Sequence, residues 1–411
     1  MSFKKKYEEL VQLLCTAMTA GDDQMVIHLS HDDLDGYGCT IVKHFYDQYV
    51  NKNRAASRIW TLNTNLINTK VYVPINRMAA ITTNAFYHKK VYFLITDIGG
   101  IDLDLLVEQY ADENIHFIVV DHHKTVYHNS NPHNNDYSIQ RENGCTIVNY
   151  AYKRVAVSAL FVDSSCSATK ALNDLLVKGF SDIIEDKRLI KNITEFSEAV
   201  SLYDTGNVGN WYIDKDSQSM DDVSKQAMLN AMWARYNHRA KKYDAENYTR
   251  YQIMNDFSER LHKAIISYVP TSKFTKSRVS FSAIDVHNMW EYLYETSRKY
   301  DNIMKSFTPV LREGDKFILA DGVVMNIPEG LDVIKKVRVY VHNDNTKPYP
   351  ALTLFSNRYL SIHYDVDALI VVNMFTKTVD TRSYKDGIDM YTICKYNGGG
   401  GHYHAAGFPI P

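Results

Sequence analysis

Positions 31 to 35 of this chain hold His31, Asp32, Asp33 and Asp35, and glycines follow at Gly36 and Gly38. Two similar knots come later: Asp97 in the stretch TDIGG, and Asp121, His122 and His123 in DHHKT. A further acid beside a glycine, Asp204, stands in SLYDTGN. Carboxylates grouped with imidazoles suit hard or borderline divalent ions such as Mn2+ or Mg2+ better than the thiolate-rich sites of structural zinc. One acidic turn containing glycine is usually just a turn. Three acidic knots in a row, one of them DHH, point to metal chemistry. Asp33 and Asp35, two apart, would share one face if a strand continued through them, with His31 turned towards them by the loop.

Each knot follows a short apolar run. MVIHL (25–29), VYFLIT (91–96) and IHFIVV (115–120) are β-branched and aromatic and too short for helices, so they read as buried parallel strands. Ile41, Val42, Phe45, Tyr46 and Tyr49 follow the first at helical spacing, which makes the alternation βαβ. Sites in open α/β sheets form beyond the carboxyl ends of the strands, so the knots are expected to converge in one crevice. His28, inside the first strand, reads as a core histidine. Helical spacing returns over about 165 to 205, with Ser167 or an earlier serine as its cap. Residues 220 to 308 are polar, charged and tyrosine-rich at helical spacing and read as a connector.

Beyond a boundary near 310, KFILADGVVM, KKVRVYVH and VDALIVVNMF read as strands of a second domain. In the closing NGGGGHYHAAGF, Gly398 to Gly401 would let bare N–H groups approach a phosphate. HYHAAG is expected to open a helix whose N-terminus favours negative charge. Arg382 offers a planar fork for the same anion and His402 another donor.

With 411 residues, 45% of them hydrophobic, the chain can bury real cores in two or three domains. Lys and Arg number 46 against 48 Asp and Glu, so no global basic field draws it to nucleic acid or an anionic membrane; a polyanion must be gripped locally. Five scattered cysteines argue against a disulfide framework or a zinc knuckle, and a reducing cytoplasm fits best. The opening MSFKKKYEELVQLLCTAM reads as an amphipathic helix rather than a signal peptide, and no apolar run approaches the roughly 18 residues that suggest a membrane span.

HDDLDGYG, TDIG, VDHHKT and LYDTG, in that order, resemble the four motifs of the DHH phosphoesterase superfamily, which includes RecJ exonucleases, nanoRNases and family II inorganic pyrophosphatases. DTRSYKDGIDMYTICKYNGGGGHYHAAGF resembles the substrate-binding DHH-associated domain, with its GGGHxxAAG ending after an Arg-Ser pair. The resemblance runs from Asp33 to Gly407. It implies an α/β protein: an N-terminal parallel-sheet DHH catalytic domain (1–220), a helical connector (221–310) and a smaller C-terminal α/β substrate-binding domain (311–411).

Carried over residue by residue, the resemblance implies that Asp33 and Asp35 bind metal, that Asp97 bridges two ions, and that His122 and Asp204 complete the coordination. His31 is taken as a further ligand; many members place that histidine four residues before the first paired aspartate, where this chain has Leu29. Asp121 is expected to orient His122, since a ligating imidazole usually needs a carboxylate or carbonyl on its other nitrogen. His123 is expected to sit over the metals and to protonate or orient the leaving group. Arg382, Ser383, Gly399, Gly400, Gly401 and His402 are the expected substrate-binding residues.

Two divalent cations would serve as cofactors, Mn2+ being the expected ion and Mg2+ the alternative. The first motif and DHHKT look most like the nanoRNase B group, which removes nucleotides from very short RNA oligomers. A near-neutral protein lacks the basic groove that a long single strand needs, which agrees. The expected partners are thus short RNA oligonucleotides or dinucleotides and no membrane, with the connector a candidate homodimer contact. The alternatives are hydrolysis of cyclic or linear dinucleotides, phosphatase action on adenosine bisphosphate and, from another class, a non-catalytic nucleotide-binding module.

Overall fold

The computed structural model describes residues 2–19, 24–50, 59–64, 90–99, 106–107, 114–123, 136–152, 155–213, 223–242, 247–266, 283–344 and 349–411. By contacts the chain forms two units, residues 1–201 with 236–282 and residues 202–235 with 283–411. The segment expected as a connector contributes to both.

The first unit opens with α1 (Phe3–Met18), β1 (Gln24–His31), α2 (Leu34–Val50), β2 (Ile59–Thr64), β3 (Lys90–Thr96) and β4 (Ile115–Asp121). The chain continues through β5 (Asp136–Glu142), β6 (Cys145–Tyr152), β7 (Val155–Asp163), α3 (Ala168–Phe180), α4 (Lys187–Asp204), α5 (Lys225–Lys242) and α6 (Asn247–Ile266). Seven strands form one sheet in the order β2-β1-β3-β4-β7-β6-β5. The first five are parallel, as expected of the apolar runs in β1, β3 and β4; β6 and β5 extend the sheet antiparallel. That extension is an addition to the expected parallel sheet. Asn143 and Gly144, both at positive φ (49° and 83°), turn β5 into β6, a geometry Asn-Gly pairs adopt readily.

Buried parallel strands carry apolar side chains on both faces. Met25, Ile27 and Leu29 of β1 pack with Phe93 and Ile95 of β3 and with Phe117 and Val119 of β4 in one buried cluster. Leu29 is 1% exposed in this core. His28, also fully buried, meets the Thr96 hydroxyl at 2.9 Å through Nε2, and Ser30 Oγ lies 2.7 Å from the same hydroxyl. His28 is therefore the hydrogen-bonded core residue its position in the strand suggested.

The second unit contains α7 (Ala283–Ile303), β8 (Thr308–Leu311), β9 (Lys316–Ala320), β10 (Val323–Asn326), β11 (Lys336–His342), α8 (Leu352–Ile362), β12 (Ala368–Asn373), β13 (Thr378–Arg382), α9 (Met390–Tyr396), β14 (Gly400–Gly401) and β15 (Ala405–Pro409). Its six-stranded sheet has the order β14-β15-β13-β12-β11-β8; β9 and β10 form a separate hairpin. Val337, Val339, Ile370, Val372, Val379, Ile393 and Phe408 belong to its core. One expectation fails here. HYHAAG does not open a helix: residues 402–404 turn the chain and 405–409 form β15, antiparallel to β13 with Arg382 opposite Ala405. Pairing along β13 satisfies this segment's backbone groups and overrides the local helix preference of its alanines.

Candidate metal centre

Strand register builds the first half of the centre. Ser30 lies opposite Thr96, and Thr96 opposite Val120, so the next residues, His31, Asp97 and Asp121, fall in one row at the carboxyl edge of the sheet. Neighbouring strands are about 4.8 Å apart, so Asp97 stands between the other two. It leaves β3 at φ 55°, a left-handed conformation that a non-glycine residue adopts at a cost.

The strand ends at His31, so Asp33 and Asp35 do not share a strand face as the sequence suggested. Asp33 sits in the bend and Asp35 in the first turn of α2. His31 Nδ1 lies 2.7 Å from Asp33 Oδ2 and 3.9 Å from Asp97 Oδ2, while Asp33 Oδ1 accepts the Gly36 N–H at 2.9 Å. Gly36 fits because a Cβ there would come within 2.1 Å of the His31 carbonyl oxygen. Burial alone would raise the Asp33 carboxyl, but the hydrogen bond and charge of His31, with the Gly36 N–H, hold it well below the usual carboxylate range. Burial opposes the charged His31 imidazole too; Asp33 outweighs this and raises its pKa above the ordinary value.

On the other side, His122 Nε2 lies 3.2 Å from Asp97 Oδ1 and 3.5 Å from Asp35 Oδ2. Asp121 does not hold the His122 ring, as had been expected. Its Oδ1 takes the His122 backbone N–H at 2.8 Å and meets His123 Nδ1 at 2.7 Å, so the ring it orients is that of His123. The cause is local: β4 ends at Asp121, and its Oδ1 also lies 3.4 Å from the His123 backbone N, so the second histidine sits back over the carboxylate. Burial would raise this carboxyl, but His123, then His122, keep it well below its usual range.

The donor atoms of His31, Asp33 and Asp97 all lie within 4.8 Å of one another, and so do those of Asp97, Asp121, His122 and His123. Asp97 belongs to both sets. Leu29, buried inside β1, takes no part. Asp204 is the half-buried last residue of α4 and belongs by contacts to the second unit.

In the second unit Arg382 ends β13. Thr353 Oγ1 lies 3.3 Å from its Nε, and its Nη1 donates to the Thr381 carbonyl at 2.8 Å. Ser383 is fully buried and its hydroxyl donates to the Asp367 carbonyl at 2.7 Å, a commitment to the fold. His402 and Ala405 exchange main-chain hydrogen bonds of 2.6 and 3.3 Å across a tight turn. Two of the glycines serve sheet closure: a Cβ on Gly399 would lie 1.9 Å from the Gly407 carbonyl oxygen, and one on Gly401, at φ 133°, 2.6 Å from that of Ala405. A Cβ on Gly400 would meet nothing within 4 Å.

No family model matches the sequence, and no curated protein matches it. Solved structures do. The DHH domain of a member of the s1p family of ribosomal proteins superposes with a TM-score of 0.52 at 11% identity, covering 99% of this chain and 87% of that one. This chain has the fold of a DHH-domain protein. RecJ from Thermus thermophilus, in complex with Mn2+, gives a TM-score of 0.43 at 12% identity, covering 99% of this chain and 52% of that one. The pGpG-specific phosphodiesterase PggH from Vibrio cholerae gives 0.40 at 11% identity, covering 94% and 93%.

The donor set of this DHH-fold chain is made of oxygen and imidazole nitrogen, and it fits a divalent cation of the Mn2+ or Mg2+ type. Among the described residues no thiolate joins it: Cys39, in α2, has its thiol pushed well above the ordinary range by burial and the Asp35 charge. One feature the sequence did not suggest is the clamp on Asp35. Its two carboxylate oxygens accept the backbone N–H groups of Ala168 and Thr169 at 2.9 and 3.0 Å. Ser167 was legible as the cap of α3, but its neighbours' partner lies more than 130 residues away in sequence.

Proposed function

We propose that the chain is a two-metal phosphodiesterase that hydrolyses very short oligonucleotides to mononucleotides. The observation that carries this reading is the membership of Asp97 in both donor sets, one with His31 and Asp33, the other with His122 and its neighbours. A shared carboxylate is what a bridging ligand between two ions requires. When bound, a pair of divalent ions supplies an activated water and neutralises charge on the phosphoryl oxygens.

The chain's own residues do the rest. Asp33 and His31 hold one side, and Asp35 and His122 the other. Asp121, hydrogen-bonded to Nδ1 of His123, orients that ring and leaves Nε2 as the atom that can carry a proton to a departing oxygen. Arg382, with the open backbone at Gly400 and the adjoining His402, is our candidate grip for a substrate phosphate.

The test is a time course with Mn2+ on end-labelled RNA and DNA of two, five and twenty nucleotides, beside a cyclic dinucleotide and adenosine bisphosphate. Stepwise release of mononucleotides from the shortest RNAs is expected. Turnover of the cyclic dinucleotide or the bisphosphate with the oligomers untouched would replace the substrate while keeping the metal site. Stoichiometric nucleotide binding without turnover would replace the enzyme reading altogether.

A further inference from the structure

Asp35 is 2% exposed, and a buried carboxylate must be compensated. The compensation comes from α3. Ser167, at φ −76° and ψ 163°, caps that helix and accepts the Lys170 N–H with its hydroxyl, leaving the N–H groups of Ala168 and Thr169 for Asp35 Oδ2 and Oδ1. These are among the donors that a helix start cannot satisfy internally, and the positive end of the helix faces the carboxylate. A third bond runs beside them: Thr169 Oγ1 donates to the Asp35 carbonyl at 2.6 Å. Gly38 permits the approach, since a Cβ there would lie 2.3 Å from Thr169 Oγ1.

We propose that the first turn of α3, through the Ala168 N–H and the Thr169 N–H and hydroxyl, is the positioning element that fixes Asp35 as a metal ligand. The assignment rests on the two-metal reading above. The three bonds set both the rotation of the carboxylate and the height of the α2 first turn that carries it. They direct Oδ2, the oxygen 3.5 Å from His122 Nε2, towards the rest of the donor set. Outer partners of this kind commonly tune a site by about 10- to 100-fold in metal affinity. The alternative is that the same bonds merely join α2 to α3 for stability, and the experiment separates the two.

Mn2+ affinity of the full chain is titrated by the signal of the free ion, and thermal unfolding is followed without metal. Ala168→Pro removes the N–H that serves Oδ2 at a helix position that favours proline, behind a residue whose ψ already suits it. Thr169→Val removes the hydroxyl and keeps the shape; Thr169→Ser restores it. Ser201→Ala is the control, because Ser201 Oγ accepts the Ser167 N–H at 3.0 Å and so supports the same helix start without touching Asp35. The proposal expects Ala168→Pro and Thr169→Val to weaken Mn2+ binding at least ~10-fold, Thr169→Ser to recover it, and Ser201→Ala to lower the melting temperature without that loss. Wild-type affinity in both Ala168→Pro and Thr169→Val overturns it. So does a loss in Ser201→Ala equal to theirs. A wild-type chain that takes up no Mn2+ overturns the two-metal reading and this assignment with it, an outcome distinct from the other two.

Discussion

At the ends of β1, β3 and β4 side chains form the candidate metal centre and the register of the strands sets them in a row; around β14 and β15 the backbone itself is the material, and much of it is spent on closing the sheet. His31, Asp33, Asp97, His122 and His123 face one another across distances of 2.7 to 4.0 Å, and little in the fold of the sheet needs their charges. Gly399 and Gly401, by contrast, have steric reasons to be glycine that no ligand is needed to explain. A dense acid–imidazole knot therefore carries more functional information than a glycine run, whose residues divide between the fold and the ligand.

The largest effect expected from this contrast lies at Asp97. Asp97→Asn should lower turnover by roughly three orders of magnitude and weaken Mn2+ uptake, because one neutral amide replaces the carboxylate shared by two donor sets. The fold should survive, since asparagine tolerates the left-handed φ of 55°. Asp97→Gly should go further and raise the melting temperature while abolishing activity, releasing strain of about 1 kcal/mol. Retained turnover in Asp97→Asn would break the comparison at its stronger end.

The glycine tail should split by position. Gly399→Ala places a Cβ 1.9 Å from a carbonyl oxygen and is expected to cost about 3 kcal/mol or more of stability, read in denaturant unfolding. Gly400→Ala, which meets nothing within 4 Å, should stay within about 0.5 kcal/mol. If Gly400→Ala nevertheless weakens substrate binding at unchanged stability, Gly400 is the ligand-facing member of the run; equal stability losses at both positions would remove the distinction. Arg382→Ala is expected to raise KM about tenfold at similar kcat, because a charged fork lost from the proposed substrate grip affects ground state and transition state alike.

Legibility followed the same divide. The runs before His31, Asp97 and Asp121 could be read as strands because nearly every residue in them is apolar, and the acids could be read as a site because each follows such a run directly. β5, β6 and β7 were not recognised, although Asn143-Gly144 announced their first turn; their alternation is diluted by polar residues such as Gln140, Asn149 and Ser158. Ala405 and Ala406 suggested a helix because single-segment preference cannot register the partner strand β13. The clamp on Asp35 was invisible for a related reason: its donors are main-chain N–H groups, which every sequence contains, brought in from a distant helix. The same limit hid the ring that Asp121 holds, which depends on the path of the backbone through 121–123 and not on residue type.

A last test asks whether the unit that holds the candidate metal centre also has a purely structural histidine that can be told from the proposed ligands. His262 of α6 is 5% exposed, lies 2.9 Å from Gln48 Oε1 through Nε2, and packs its ring 4.9 Å from that of His44 on α2. Burial, then the neighbouring His44, lowers its pKa to about 4. The unfolded chain, with an ordinary value of about 6.5, binds this proton first as pH falls. His262 should therefore contribute its full stability above pH 6.5 and lose it progressively between about 6.5 and 4, a change on the order of 3 kcal/mol. His28, whose pKa is lowered by burial and by Lys43, adds to the same slope. Thermal unfolding of metal-free protein at pH 7 and pH 5 should show the wild type losing more than His262→Gln, with Mn2+ affinity at pH 7 the same in both. An equal loss would mean that His262 is not held neutral by its burial. A fall in Mn2+ affinity would mean that α6 acts on the centre through α2, and the line between structural and functional histidines in this unit would have to be redrawn.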